Sequence, residues 1–215
     1  MDLNIAVEEV GPLKVLAYLV SCPETGEALL IDPAGPAPAL TARIRDQGLK
    51  VRWLVNTHGH ADHTAGNDLW AAATGARIVI HHLDWEFFSR PEMAAAARAE
   101  GFPSLRRADV RVADDDRLPL GAAEVRIIHT PGHTPGSICL HLPGHLFTGD
   151  TLFVGAAGRT DLPGGSLSQL LASLEAKLMP LPDDTQIWPG HDYGDQPTST
   201  LGQEKATNPY LTDFF

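Results

Sequence analysis

The sequence predicts an α/β fold, and three observations carry the prediction. Short apolar runs rich in β-branched and aromatic residues recur along the chain, with the length and composition of buried strands. Between residues 51 and 80 the order is strand, helix, strand, a rhythm that indicates some parallel pairing. Strand runs ending near 55, 129, 148 and 188 each lead to a His or Asp in a loop, and open α/β sheets gather ligands at such ends.

Residues 3–32 read as strands, with 15–20 and 28–31 flanking the turn signal Pro23-Glu24-Thr25-Gly26. The second run ends in Asp32-Pro33, where the carboxylate either caps the turn or supports a metal ligand from behind. Residues 36–47 read as a short helix, because Leu40 and Ile44 are four apart and Gly48 can take the left-handed cap. Strand 51–55 follows, and then Thr57-His58-Gly59-His60-Ala61-Asp62-His63. A helix over 67–74 stops at Gly75, and 77–80 is the next strand. His81-His82 lies among Leu83, Trp85, Phe87 and Phe88, which favours packing over a metal role. Ser89-Arg90-Pro91-Glu92 has the spacing of a capping box and predicts an alanine-rich helix that Gly101 ends. Residues 83–108 are therefore read as a helical insertion near the site, in the position of a substrate lid.

Strand 124–129 runs into Thr130-Pro131-Gly132-His133-Thr134-Pro135-Gly136-Ser137, where Pro and Gly hold His133 in place at low entropy cost. Strand 145–148 ends at Gly149-Asp150-Thr151. The glycine-rich stretch 155–165 carries Arg159, Thr160 and Asp161 but lacks the Lys-Ser/Thr ending of a phosphate loop. Ser166 can cap a helix whose core stripe is Leu167, Leu170, Leu171, Leu174 and Leu178. A last strand over 185–188 leads to His191-Asp192-Tyr193, and 201–215 reads as a short closing helix with a tail.

Composition narrows the partners. The 215 residues fit a single domain, 1–215, long enough to bury a substantial core, and 43% hydrophobic with 20% charged residues is a globular balance. A formal charge of -11 argues against nucleic acid, which requires clustered Lys and Arg. Cys22 and Cys139 are too few for a disulfide framework and fit a reducing compartment. Met1-Asp2-Leu3-Asn4 lacks the basic-then-apolar pattern of a signal peptide, and no apolar run approaches a membrane span. The expectation is a cytoplasmic protein with no membrane partner; a homodimer is left open.

Imidazole and carboxylate are the ligand set of zinc, and also of iron and manganese. His58 and His60, two apart in an extended loop, point the same way. Seven ligand-type residues, His58, His60, Asp62, His63, His133, Asp150 and His191, suffice for two metals. Three imidazoles can hold one, Asp62, His63 and His191 the other, and Asp150 can bridge. Closed structural zinc sites usually carry Cys pairs, whereas carboxylates among the ligands suit an open catalytic site.

The set His58-x-His60-x-Asp62-His63 with His133, Asp150 and His191 resembles the metallo-β-lactamase superfamily from Asp32-Pro33 to His191. The resemblance implies a four-layer αββα sandwich of two similar halves with a dinuclear site along one edge of the sheets. Within the superfamily the chain looks like the glyoxalase II group, the hydroxyacylglutathione hydrolases. Thr148-Gly149-Asp150-Thr151-Leu152-Phe153-Val154-Gly155 is similar to the stretch bearing their bridging Asp. Arg159 and Tyr193 fall where that group has a basic residue and a tyrosine for glutathione. The longer enzymes of that group add a C-terminal helical domain with further thiol-binding basic residues, and here Lys205 is the sole substitute, so the identity of the thiol is less specified than the thioester. Gly158-Arg159-Thr160-Asp161 and Pro189-Gly190-His191-Asp192-Tyr193 also resemble the persulfide dioxygenases, which hold one iron through positions matching His58, His133 and Asp150. His133 to Ser137 and Leu162-Pro163-Gly164-Gly165 look more like the hydrolases, which places that branch first. The expected enzyme cleaves an acyl-glutathione or similar thioester with a hydroxide generated at two divalent metals, zinc ahead of iron or manganese. Asp62 and Asp150 are its expected catalytic carboxylates.

Overall fold

The computed structural model describes residues 3–214. The first half contains β1 (Asn4–Val10), β2 (Val15–Ser21), β3 (Glu27–Ile31), α1 (Pro38–Asp46), β4 (Lys50–Val55), α2 (Ala61–Thr64), α3 (Asn67–Thr74), β5 (Arg77–His81), α4 (His82–Phe88), α5 (Pro91–Ala99) and β6 (Val110–Val112). The second contains β7 (Arg117–Leu120), β8 (Ala123–His129), β9 (Ile138–Leu142), β10 (His145–Gly149), the ribbon β11 (Leu152–Phe153) and β12 (Ala156–Ala157), α6 (Leu167–Ser173), β13 (Gln186–Pro189), β14 (Ser199–Thr200), α7 (Leu201–Thr207) and α8 (Pro209–Thr212). The strands form two six-stranded sheets ordered β1-β2-β3-β4-β5-β6 and β14-β13-β10-β9-β8-β7. Pairing from β3 to β6 is parallel, as is β10 with β13.

Strand β2 shows why four layers result. All seven of its residues are buried, and period-2 alternation sends them to two different interiors. Leu16, Tyr18 and Val20 join Leu118, Val125, Ile127, Leu140 and Phe147 of the second sheet in the inter-sheet core. Ala17 and Leu19 face the other way, onto Leu40 of α1 and Trp70 of α3. On the far side, Cys139, Leu146 and Ile187 pack beneath Leu170, Leu174, Leu178 and Leu201. The order is helix, sheet, sheet, helix. Each fully buried Leu contributes roughly 1.5–3 kcal/mol. Exposed pairs such as Arg45–Asp46 and Arg117–Glu124 contribute below about 1 kcal/mol, so apolar burial holds the layers together.

The structure corrects several local expectations. Ser89 ends α4 rather than starting α5; Arg90 is the N-cap, without a side-chain cap bond, because Pro91 occupies the first helical position. Leu167 is 44% exposed, since the contact with the loop at Gly132 is made one turn later, at Leu170. The stripe that buries is Leu170, Leu174 and Leu178, and its second half, Leu174–Leu178, widens into a π turn. Strands β6, β7 and β9 were not legible in the pattern. The tail residue Phe215 lies outside the described residues. No described helix is long and apolar enough to cross a membrane.

Candidate metal centre

The carboxyl ends of β3, β4, β8, β10 and β13 converge on one edge of the two sheets, and all seven ligand-type residues lie there. His58 and His60 sit in the loop leaving β4, while Asp62 and His63 lie on the single-turn helix α2. His133 lies in the Pro/Gly loop after β8, Asp150 follows β10, and His191 follows β13. The last of these loops is tied to the first sheet: Leu16 N–H donates to Gly190 O at 2.8 Å, and Tyr18 Oη donates to Pro189 O at 2.7 Å. Donor atoms group as His58, His60 and His133; as His58, His63 and Asp150; and as Asp62, His63 and His191, each set within 4.8 Å. The first and third sets share no residue. Asp150 stands between them, with Oδ2 3.5 Å from His133 Nε2 and 3.6 Å from His191 Nε2, and Oδ1 3.5 Å from His63 Nε2. A Cβ at Gly158 or Gly190 would run into Asp150, so both positions need glycine for the chain to pass this close.

Hydrogen bonds behind the imidazoles fix which nitrogen faces the cluster. Asp32 accepts from Thr57 N–H at 2.7 Å and Thr57 Oγ1–H at 2.7 Å, and His63 Nδ1–H donates to it at 2.9 Å. Because the Thr57 hydroxyl proton is committed to Asp32, His58 Nδ1, 3.1 Å from that oxygen, must be its donor. His133 Nδ1–H donates to the carbonyl of Arg159 at 2.7 Å. In all three rings Nε2 is the nitrogen that faces the cluster, the arrangement that carboxylates and carbonyls impose on metal-bound histidines. Of the two roles foreseen for Asp32, the carboxylate fills the second: its side-chain bonds go to Thr57 and His63, and among the described residues none goes to its own turn.

The donor set fits divalent cations. His60 Nδ1 lies 3.0 Å from His133 Nε2, and His63 Nε2 lies 3.2 Å from His191 Nε2, so ring nitrogens face one another across the site. Among the described residues, buried His58 Nε2 and Asp150 Oδ1 have no hydrogen-bond partner. Burial, followed by the neighbouring imidazoles, pushes the His58 and His60 pKa well below the usual range. His133 falls to about 4, mainly through burial. These rings are therefore neutral lone-pair donors at physiological pH. Burial also opposes charge on His63, yet Asp150, Asp32 and Asp62 together lift it to about 10. The carboxylates thus create a demand for positive charge at the centre, and a proton on His63 answers it when no cation does.

The structure adds Asp84 of α4, a residue absent from the expected set. Fully buried, it accepts from Gly59 N–H and from the Thr134 hydroxyl, each at 2.7 Å, and from Gly136 N–H. It clamps the His58–His60 loop to the His133 loop. Its signal in the sequence is a lone carboxylate between Leu83 and Trp85, in a segment otherwise read as packing. Of the two expected thiol-binding residues, Tyr193 stacks on His191 with ring centroids 4.9 Å apart and an interplanar angle of 6°. Arg159 points its guanidinium at Asp161 on the surface, at 2.7 and 2.8 Å.

A family model described as the metallo-beta-lactamase superfamily matches residues 10–191. The chain is 39% identical over 208 residues to a hydroxyacylglutathione hydrolase of Polaromonas sp. (strain JS666), covering 91% of this chain and 72% of that one. It is 35% identical over 199 residues to the mitochondrial persulfide dioxygenase ETHE1 of Homo sapiens, covering 91% of this chain and 70% of that one. A crystal structure of TTHA1623 in a di-iron-bound form superposes with a TM-score of 0.80 at 34% identity, covering 96% of this chain and all of that one.

Proposed function

The chain belongs to the metallo-beta-lactamase superfamily, and on that premise we propose that it is a dinuclear metallohydrolase that cleaves an acyl thioester, with acyl-glutathiones as the first substrates to test. The observation that carries the reading is the position of Asp150 between two ligand sets that share no residue. His58, His60 and His133 would hold one ion and Asp62, His63 and His191 the other, with Asp150 available to both sets. Zinc suits a set of neutral imidazoles and carboxylates, and iron or manganese is also accommodated. Divalent cations bound there would supply Lewis acidity, which acidifies water and polarises an acyl carbonyl.

The protein's own groups do the rest. Asp32, the Thr57 hydroxyl and the Arg159 carbonyl hold three imidazoles in one tautomer, so the site reacts without reorganising. Asp62, its side chain 16% exposed, is the carboxylate of the centre nearest to solvent and serves to carry a proton between the reacting water and the departing thiol. A thiolate leaves without strong acid assistance, so no further acid is needed. Tyr193 presents its ring beside His191 and is assigned to the thiol carrier. Arg159 serves that carrier only after its pairing with Asp161 opens. Both cysteines are buried and unpaired, in keeping with a reducing cytoplasm.

The test is thiol release from S-D-lactoylglutathione by protein whose bound metals are counted. About two metals per chain with turnover supports the reading, and Asp150→Ala then lowers kcat on the order of 10³-fold and loses one metal. Near-normal turnover in Asp150→Ala sinks the dinuclear assignment. The human relative favours a second reading, persulfide oxidation at one iron held by His58, His133 and Asp150. It is upheld if a single iron per chain accompanies oxygen uptake with glutathione persulfide and no thioester is cleaved.

A further inference from the structure

A cavity of about 140 Å³ opens beside His60, and Tyr193 is not among the residues that line it. Its walls are Phe88 of α4, Met93 and Ala97 of α5, and Leu162 of the glycine-rich loop, with Glu100 among the residues that line it. Phe88 is buried, and its ring meets His60 edge-on with centroids 5.2 Å apart. Met93 and Ala97 are four apart and share one face of α5, yet no residue of α5 is buried. A helix with an apolar face normally buries it. Here that face roofs a cavity instead of packing down.

Resting on the thioesterase reading, we propose that this cavity takes the acyl group of the substrate and selects an unbranched apolar chain of about four to six carbons over a 2-hydroxyacyl group. Three features carry the assignment. The volume is close to the roughly 150 Å³ of an apolar cavity that holds benzene, a six-carbon guest. Of the described side chains lining the cavity, His60 and Glu100 alone are polar, and His60 is committed to the metal cluster, so the remaining wall favours an apolar chain over a hydroxylated one. Glu100 is exposed and repels an acyl chain ending in a carboxylate. The substrate then spans the centre, with its acyl chain beneath α5, its carbonyl at the ligand cluster and its thiol toward Tyr193.

The experiment is a series of kcat/KM values on zinc-loaded protein for acetyl-, butanoyl-, hexanoyl-, decanoyl- and D-lactoyl-glutathione. The expected result is a rise of about two- to fourfold per methylene up to hexanoyl, the value of burying a CH₂, and a fall at decanoyl. Ala97→Leu fills the cavity and brings the hexanoyl-to-acetyl ratio toward one, whereas Met93→Ala enlarges it and moves the optimum to longer chains. A flat series, a preference for lactoyl, or an unchanged ratio in both variants overturns the assignment. Binding is read separately by titrating 1-hexanol into zinc-loaded protein and following the Met93 methyl resonance. A saturable shift that Ala97→Leu abolishes sustains the cavity even if no thioester is cleaved, an outcome in which the thioesterase reading alone fails. No shift with hexanol overturns the acyl cavity whatever thioesters are cleaved.

Discussion

At the scale of single residues, the site is built from side chains that work in pairs, one facing the cluster and one holding it from behind. Asp32 illustrates the second kind. Its backbone sits at φ 46°, a left-handed conformation uncommon outside glycine, and three hydrogen bonds from Thr57 and His63 keep it there. Asp32→Asn retains the shape but cannot accept from all three donors. The expected outcome is a 10- to 100-fold fall in metal affinity, approximately, with an unchanged far-UV circular dichroism spectrum, measured by competition with a chromogenic chelator. Equal affinity in the variant would make Asp32 a turn residue only. The clustering of His58, His60, Asp62, His63, His133, Asp150 and His191 was legible because each lies in or just after a loop that leaves a strand. Asp84 was not, because its partners Gly59, Thr134 and Gly136 lie 25, 50 and 52 residues away and no local pattern records them.

At the scale of elements, α4 is held to the body of the protein by groups that respond to acid. His81 caps it, accepting from Leu83 N–H through Nδ1 at 3.3 Å, and lies flat on His129 with centroids 4.0 Å apart. His82 faces the same ring, while Asp114 acts in the opposite sense. Burial, then His129 and His82, depress the His81 pKa to about 3. The folded value lies below the ordinary 6.5, so the unfolded chain takes up a proton that the folded one refuses. Stability is therefore full above pH 6.5 and declines as pH falls from there toward 3. His81→Asn keeps an N-cap side chain but does not titrate there. Urea midpoints at pH 7 and pH 5 should fall less in the variant than in the wild type, and equal falls would remove His81 as the cause. The helical spacing of α1 and α3 and the short continuous apolar run of β5 were visible in the sequence. Strand β9 was missed because Cys139, facing α6, breaks the alternation of Ile138, Leu140 and Leu142 toward the inter-sheet core, while His141 interrupts the apolar run, so neither strand pattern is complete.

At the scale of the whole molecule, the α/β class and the edge that gathers the His and Asp cluster could be read from the sequence, whereas the division of strands between two sheets could not. Pairing partners such as β10 and β13 are separated by the whole of α6, and nothing local specifies their register. Removal of the metals is the test that belongs to this scale. At free metal about 1,000 times Kd, binding adds on the order of 4 kcal/mol, so chelation should lower Tm on the order of 10 °C by calorimetry. A Tm indifferent to chelator would show that the centre contributes nothing to folding. The clustered side chains do not come from one sheet: His58, His60, Asp62 and His63 follow β4, whereas His133, Asp150 and His191 follow strands of the other sheet. The centre is consequently a rivet through the seam of the sandwich. A substitution that lets one sheet slide on the other, even deep among Tyr18, Leu140 and Phe147, pulls the cluster apart without touching any of its members, and tolerance to mutation in that seam is set by chemistry as much as by folding.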